Sequence, residues 1–243
     1  MTDKPFGLNL LLPLDNPFSQ ATLEIGLEEK VPVFVTVGEA EHAVFERIKQ
    51  SGARIIHRSL TPTFESMREA EKFGADILVT TVFDEGGVLS QQVSDTFTIL
   101  PTMVDDVSIP VLAAGGINDA HAVKVALALG ASGIYIGTRF LATKESPMAS
   151  VAKDLMLRSD YKDLVFISVT QRLIATSFAR RMSEQFEQDH QADTDKIIAQ
   201  AGGLRTAMLD GNIEQGIISV NTRIGLIEDI PTVEALIHRL MTN

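Results

Sequence analysis

Residues 109–118 of the chain read IPVLAAGGIN, and residues 133–140, which follow a helix-like stretch, read GIYIGTRF. In each case a short apolar run ends in glycine, which is typical of a buried strand in a parallel sheet. Glycine lets the backbone come close to a ligand, and the free amides where a helix begins favour an anion. Two such strand ends side by side predict a phosphate site, although a tight strand-to-helix turn would need the same glycines. The predicted phosphate contacts are Gly115, Gly116, Gly137 and Thr138.

The same alternation extends over the first two thirds of the chain. Apolar runs rich in β-branched residues alternate with amphipathic stretches, which predicts an α/β fold with a parallel sheet and crossover helices. Six strands are predicted, at residues 6–12, 32–37, 54–57, 77–81, 110–114 and 133–136. Three crossover helices are predicted at residues 39–51, 63–73 and 118–129, the last with Asn118 as its N-cap. Residues 147–207 show a helical period and no strong strand, so we expect a helical insertion there.

Composition excludes several classes of function. The formal net charge of −11 disfavours nucleic acid and anionic membrane surfaces as partners. There is no cysteine, so disulfide and thiolate chemistry are impossible, which fits a cytoplasmic protein. The five histidines show no metal-ligand spacing, so no metal site is expected. No apolar run is long enough for a signal peptide or a membrane span. We expect a protein that binds a small-molecule substrate.

Two segments carry a resemblance to a known family. The segments AAGGI at 113–117 and GTRFLATKESP at 137–147 closely resemble the FMN-dependent nitronate monooxygenases (also called 2-nitropropane dioxygenases) and the related flavin-dependent enoyl-ACP reductases. The resemblance covers nearly the whole chain. It implies a TIM-type (β/α) barrel that holds FMN, with its phosphate at the four residues named above. It also implies that Asn9 faces the flavin and that Arg58 lies near it; a turn-capping Asn9 and a solvated Arg58 are the alternatives.

The chain also departs from the family pattern. It lacks the family's first two strands, so the six predicted strands make an incomplete barrel where a closed one needs eight. The family's Glu-Ala-Gly-Gly-His motif, whose histidine is the expected base, reads DEGGV at 84–88. Val88 cannot transfer a proton, so the catalytic residue is unknown, with Asp84 or Glu85 as possible substitutes. The family's Ala-Gly-Gln near the C-terminus reads VNT at 220–222.

These observations leave three hypotheses open. The chain is an FMN-dependent oxidoreductase that oxidises small alkyl nitronates with dioxygen or, like the family's other branch, reduces enoyl thioesters. Alternatively, it is a degenerate relative that binds a phosphate-bearing ligand without turnover, or a truncated reading of a longer gene. We expect a barrel portion at 1–145 and 212–243 and a helical lid at 146–211, within one structural unit. The unpaired apolar edges of the barrel predict a homo-oligomer.

Overall fold

Six parallel strands form one sheet in the computed structural model, which describes residues 4–15, 17–190 and 193–242. The strands are β1 (Gly7–Leu11), β2 (Val33–Val37), β3 (Arg54–Arg58), β4 (Ile77–Thr80), β5 (Val111–Ala114) and β6 (Gly133–Tyr135). They pair in the order of the sequence, β1-β2-β3-β4-β5-β6. Sequential parallel order with a helix between strands is the arrangement of a TIM-type barrel. This confirms the predicted fold class and all six predicted strands.

The helices between these strands are α1 (Pro17–Glu28), α2 (His42–Gln50), α3 (Phe64–Phe73), α4 (Thr96–Asp106) and α5 (Ala120–Ala128). The chain divides into two compact units. The first comprises residues up to Val82 together with Asp95–Ala114 and Ala126–Tyr135, and therefore contains the whole sheet. The second comprises Phe83–Ser94, Gly115–Val125 and the chain from Ile136 onwards.

One face of the sheet forms the core of the first unit. Strand register places Leu10, Thr36, His57, Leu78 and Val111 in one lateral row, and all five are buried. The polar pair in this row is satisfied internally, because the Thr36 hydroxyl and His57 Nδ1 lie 2.9 Å apart. The opposite face carries Asn9 and Arg58, since side chains alternate along a strand.

Local sequence signals explain where the helices begin and end. Thr63 caps α3 through a reciprocal pair of hydrogen bonds with Ser66, and Gly74 ends that helix with φ +104°. The predicted cap of α5 was wrong by one residue. Asp119 Oδ1 accepts the hydrogen bond from the Ala122 backbone amide, so Asp119 caps the helix. The side chain of Asn118 is therefore not the cap.

The second unit contains a hairpin that the sequence prediction of a helical insertion did not include. After α6 (Thr138–Leu141) and α7 (Ser150–Arg158), strands β7 (Leu164–Ser168) and β8 (Gln171–Ile174) pair antiparallel. The remaining helices are α8 (Ser177–Gln188), α9 (Thr194–Gln200), α10 (Gly203–Met208) and α11 (Val233–Thr242). The expectation that residues 147–207 hold no strand is therefore corrected, because β7 and β8 are too short to break the helical pattern around them. The predicted division at residues 145–146 and 211–212 stays a prediction.

The described residues contain neither a membrane-spanning helix nor a group of side chains placed to hold a metal ion. None of the helices has both the length and the apolar character needed to cross a membrane. Likewise, no group of three or more histidine and carboxylate side chains is placed to hold a metal ion in the part of the chain that the structure describes.

Candidate functional site

The double glycine after β5 adopts a backbone conformation that other residues avoid. Gly115 has φ +88° and Gly116 has φ +64°. A methyl group added at Gly116 would lie 3.0 Å from Asp84 Oδ2 and 3.2 Å from Arg223 Cδ. The loop after β5 is therefore packed against a carboxylate and an arginine from two other segments of the second unit.

The loop after β6 offers open space and a buried hydroxyl. A methyl group added at Gly137 would meet no atom within 4 Å. The neighbouring Thr138 is buried, and its hydroxyl oxygen accepts a hydrogen bond from the backbone amide of Asn221 at 3.1 Å. This contact leaves the hydroxyl hydrogen of Thr138 able to donate to a ligand.

The loop after β4 meets the same hydroxyl. A methyl group at Gly86 would lie 3.1 Å from Thr138 Oγ1 and 2.9 Å from the carbonyl carbon of Val220. Only glycine fits between these atoms. The second unit thus brings together the predicted phosphate residues of the loops after β5 and β6, with the DEGG segment beside them.

A buried pair of asparagines joins these segments. Asn118 Nδ2 donates to Asn221 Oδ1 at 3.0 Å, and Asn221 Nδ2 donates to Asn118 Oδ1 at 2.8 Å. The same side chains hold the backbone of Arg223, whose carbonyl accepts from Asn118 at 2.8 Å and whose amide donates to Asn221 Oδ1 at 3.1 Å. The two buried side-chain amides are paired with each other, and this pairing fixes the relative positions of the β5 loop and residues 221–223.

Arg172 of β8 holds the segment that carries Asp84 and Glu85. Its guanidinium donates to the carbonyl oxygens of Phe83 at 2.8 Å and Glu85 at 2.6 Å. The Phe83 and Phe166 rings stack on each other with centroids 5.6 Å apart, and the guanidinium lies 5.3 Å from the Phe83 centroid. Burial lowers the pKa of Arg172 to about 10, and the nearby Asp84 carboxylate opposes this shift. Arg172 remains charged at neutral pH and gives the DEGG segment a fixed shape.

Val88 lies at the edge of an apolar cavity. The cavity has a volume of about 260 Å³ and is lined by Gly87, Val88, Gln171, Ile198, Ala199, Gly203, Leu204, Ile217 and Ser219. The Gly87 amide donates to Ser219 Oγ at 2.7 Å, which fixes the loop next to Val88. None of these lining side chains titrates near neutral pH. The cavity therefore offers shape and apolar contact but no acid or base.

Asn9 and Arg58 belong to the first unit and lie on the same face of its sheet. Asn9 is in the middle of β1, so it does not cap a turn, and Arg58 is half-buried at the end of β3. Burial lowers the pKa of Arg58, and the neighbouring Tyr135 partly offsets this effect. Strand β2 separates the two residues, so they share a face without being adjacent. Their role towards a flavin stays a prediction.

Three functional candidates were absent from the sequence prediction: Arg172, Arg223 and the Asn118–Asn221 pair. Arg172 and the asparagine pair each make contacts between residues at least 80 positions apart in the sequence. Arg223 is held by that asparagine pair. No local motif marks them. The one usable signal was the departure from the family's Ala-Gly-Gln at residues 220–222, because an asparagine in place of glycine needs a partner when buried.

The residues of the second unit fit the phosphate of FMN. Gly115 and Gly116 take positive φ angles, the space beside Gly137 is open, and the Thr138 hydroxyl is able to donate. Neutral donors at the ends of parallel strands are the usual chemistry of such a site.

Comparisons with known proteins identify the family of the chain. The family model of nitronate monooxygenase matches residues 1–243. A Rhodococcus jostii (3aS,4S,5R,7aS)-5-hydroxy-7a-methyl-1-oxo-octahydro-1H-indene-4-carboxyl-CoA dehydrogenase is 26% identical, over 100% of this chain and 78% of its own length. A probable nitronate monooxygenase of Staphylococcus saprophyticus is 28% identical, over 76% of this chain and 64% of its own length.

Among solved structures, FabK from Thermotoga maritima is similar to this chain with a TM-score of 0.88 and 29% identity. The match covers 99% of this chain and 76% of that one. Because the family model spans the chain from end to end, this chain belongs to the nitronate monooxygenase family of flavin-dependent oxidoreductases.

Proposed function

We propose that the chain binds FMN and oxidises small alkyl nitronates with dioxygen. The observation that carries the proposal is the meeting of three loops in the second unit. A methyl group at Gly86 would lie 3.1 Å from Thr138 Oγ1, and one at Gly116 would lie 3.0 Å from Asp84 Oδ2, in the same loop as Gly86. The space beside Gly137 is open. A phosphate cradle of this kind in a member of this family supports FMN as the ligand.

In this proposal the protein binds and orients, while FMN supplies the redox chemistry when it is bound. The amides at Gly115, Gly116 and Gly137 and the hydroxyl of Thr138 hold the phosphate. Asn9 and Arg58 are proposed to contact the flavin ring. The apolar cavity at Val88 is proposed to take the alkyl group of the substrate and to exclude water from it.

Val88 favours a nitronate over a neutral nitroalkane. A nitronate is the conjugate base of a nitroalkane, so its oxidation does not require the enzyme to remove a proton from carbon. A neutral nitroalkane does require a base, and the side chains around the Val88 cavity provide none. The proposed substrate is therefore the anion, and the neutral form is expected to be a poor substrate.

Reduction of an enoyl thioester is the second candidate. Its support is the likeness to the Rhodococcus jostii protein, whose name specifies a carboxyl-CoA substrate. This reaction adds a proton to the substrate, and the residues that line the Val88 cavity cannot supply one. Asp84 and Glu85, which are both buried, would have to do so. A family member that binds its ligand without turnover is the remaining alternative.

Oxygen consumption by the FMN-loaded protein distinguishes these functions. We expect consumption with propane-2-nitronate and at least tenfold less with an equal concentration of 2-nitropropane that has not been allowed to ionise. Oxidation of NADH or NADPH that depends on a short enoyl thioester would favour the second candidate. Flavin binding without either reaction would support the ligand-binding alternative and contradict the proposed oxidation.

We also propose that the chain self-associates along β1 in the cytoplasm. Within the described sheet β1 has one neighbour, and its Leu11 is 52% exposed. The exposed large apolar side chains Phe6 and Leu11 lie at or beside β1, and Phe18 and Ile25 lie on α1. An apolar edge strand that offers unpaired backbone groups favours pairing with another copy.

A further inference from the structure

Arg223 lies beside the phosphate cradle, and among the described residues it forms only a long ion pair. Its Cδ and Cγ atoms would lie 3.2 and 3.6 Å from a methyl group at Gly116. Its guanidinium pairs with Asp119, where Nη2 and Oδ2 are 3.8 Å apart. A partly exposed ion pair at this distance contributes little, so the guanidinium can exchange it for a better partner.

The backbone at Arg223 is fixed even though its side chain reaches solvent. Hydrogen bonds from the buried Asn118–Asn221 pair hold both the amide and the carbonyl of this residue. The side chain is 35% exposed. Because the backbone of Arg223 is already fixed, only its side chain has to be ordered when the guanidinium contacts a ligand at the adjoining loop. Binding therefore costs less conformational entropy than it would from a flexible backbone.

The carboxylates near Gly116 give this part of the site a negative charge that Arg223 offsets. The carboxylate of Asp84 would touch a methyl group at Gly116 at 3.0 Å, and Asp119 lies close on the chain. Both carboxylates repel a phosphate dianion, while the amides and the Thr138 hydroxyl of the cradle are neutral. A protein with a formal net charge of −11 adds to this repulsion. A positive charge beside these neutral donors would offset the repulsion and strengthen the binding of a dianion.

We propose that Arg223 pairs with the phosphate monoester of the bound ligand and makes the site select phosphorylated over unphosphorylated flavin. This inference rests on the proposed function for the identity of the ligand. A charge-assisted hydrogen bond from a guanidinium to a phosphate is short and is often bidentate. Its loss corresponds to about a tenfold to a hundredfold change in affinity.

The test compares FMN with riboflavin, which differ only in the phosphate. Dissociation constants are measured from quenching of flavin fluorescence for the wild type, Arg223→Gln and Arg223→Lys, with Arg205→Gln as the control of equal charge change at an exposed site. We expect Arg223→Gln to weaken FMN binding about tenfold or more and to leave riboflavin binding unchanged. Arg223→Lys should restore part of the loss, and higher ionic strength should weaken FMN binding less in Arg223→Gln than in the wild type.

Equal FMN affinity in the wild type and Arg223→Gln would overturn the inference, as would an equal loss for FMN and riboflavin, which would mean a structural role. Failure of the proposed function looks different, because the wild type would then bind neither flavin. In that case the thermal midpoint in inorganic phosphate decides. Stabilisation of the wild type but not of Arg223→Gln would support the phosphate contact, and stabilisation of both or neither would overturn it.

Discussion

At the residue scale, the proposed preference for a nitronate depends on Val88. Val88 is 49% exposed at the rim of its cavity, in a loop whose Gly87 amide is fixed by Ser219. The side chain at position 88 therefore lies at the rim of the cavity, and the valine there is neither an acid nor a base. The sequence alone predicted the loss of the base at this position, but it did not show that the surrounding cavity supplies no replacement.

Val88→His tests the role of this position. The imidazole would be able to remove the α-proton of a neutral nitroalkane, so we expect oxygen consumption with 2-nitropropane to rise about a hundredfold while activity with the nitronate changes little. Val88→Asn, which is polar but cannot take the proton, should show no such gain. An equal gain in both variants, or fast use of 2-nitropropane by the wild type, would contradict this interpretation.

Gly137 and Gly116 are expected to respond differently to added side chains. Gly137 has a negative φ and open space, so Gly137→Val should weaken FMN binding at least tenfold and change the stability of the ligand-free protein by less than about 0.5 kcal/mol. Gly116→Ala places a methyl group against Asp84 at φ +64°, which should cost about 1–2 kcal/mol in stability. Chemical denaturation and FMN titration of both variants measure the two effects. A Gly137→Val variant that binds FMN normally would exclude this loop from the site.

At the scale of elements, the sequence predicted the strands and helices that depend on local residue patterns. It did not predict those that depend on contacts between residues distant in the sequence. The six strands follow from continuous apolar runs, and the end predicted for α3 follows from the left-handed conformation of Gly74. The capping box at Thr63 was seen only in the structure. Helices α1 and α4 were not predicted. Gly26 lies within α1 and Pro101 within α4, and the apolar residues of α4 do not form a clear stripe. The β7–β8 hairpin was missed since its strands are short and its register is set by tertiary contacts.

Burial of His57 on β3 is expected to make the stability of the protein depend on pH. His57 is buried, its Nε2 has no hydrogen-bond partner among the described residues, and burial lowers its pKa from 6.5 to about 4. The unfolded chain takes up a proton at this histidine below about pH 6.5, while the folded chain resists it until about pH 4. The contribution to stability is therefore complete above pH 6.5 and declines as pH falls to about 4, by about 3 kcal/mol in total.

Urea denaturation between pH 4 and pH 7 measures this dependence. His57→Gln should be less stable than the wild type at pH 7 and should lose less stability between pH 6.5 and pH 4.5. His238→Gln on the exposed face of α11 is the matched control and should follow the wild type. A wild-type slope that persists in His57→Gln would assign the pH dependence to other groups.

At the scale of the whole molecule, composition predicted the class of protein and the resemblance predicted its family. The chain is 45% hydrophobic and carries a net charge of −11, which suits a globular α/β protein with a charged surface. The number of strands in the parallel sheet was also predicted. The network around Thr138, Asn118 and Asn221 was not, because it joins residues more than 80 positions apart and only folding brings them together.

Self-association is the prediction that belongs to this scale. We expect light scattering at micromolar concentration to give a mass above that of the 26.4 kDa chain. Leu11→Lys should return the protein to a monomer, since a charged residue on an edge strand disfavours pairing. Ile237→Lys, which places the same charge at an exposed apolar position of α11, should leave the assembly intact. A wild-type monomer would contradict the proposed role of β1.

The central claim is that this chain holds FMN in the cradle formed by the loops after β4, β5 and β6. The most direct test is the visible absorption spectrum of the protein purified from a flavin-replete host and then titrated with FMN. We predict flavin bands that correspond to nearly one FMN per chain, and their loss in Gly137→Val. A protein that stays colourless after FMN is added would contradict the claim.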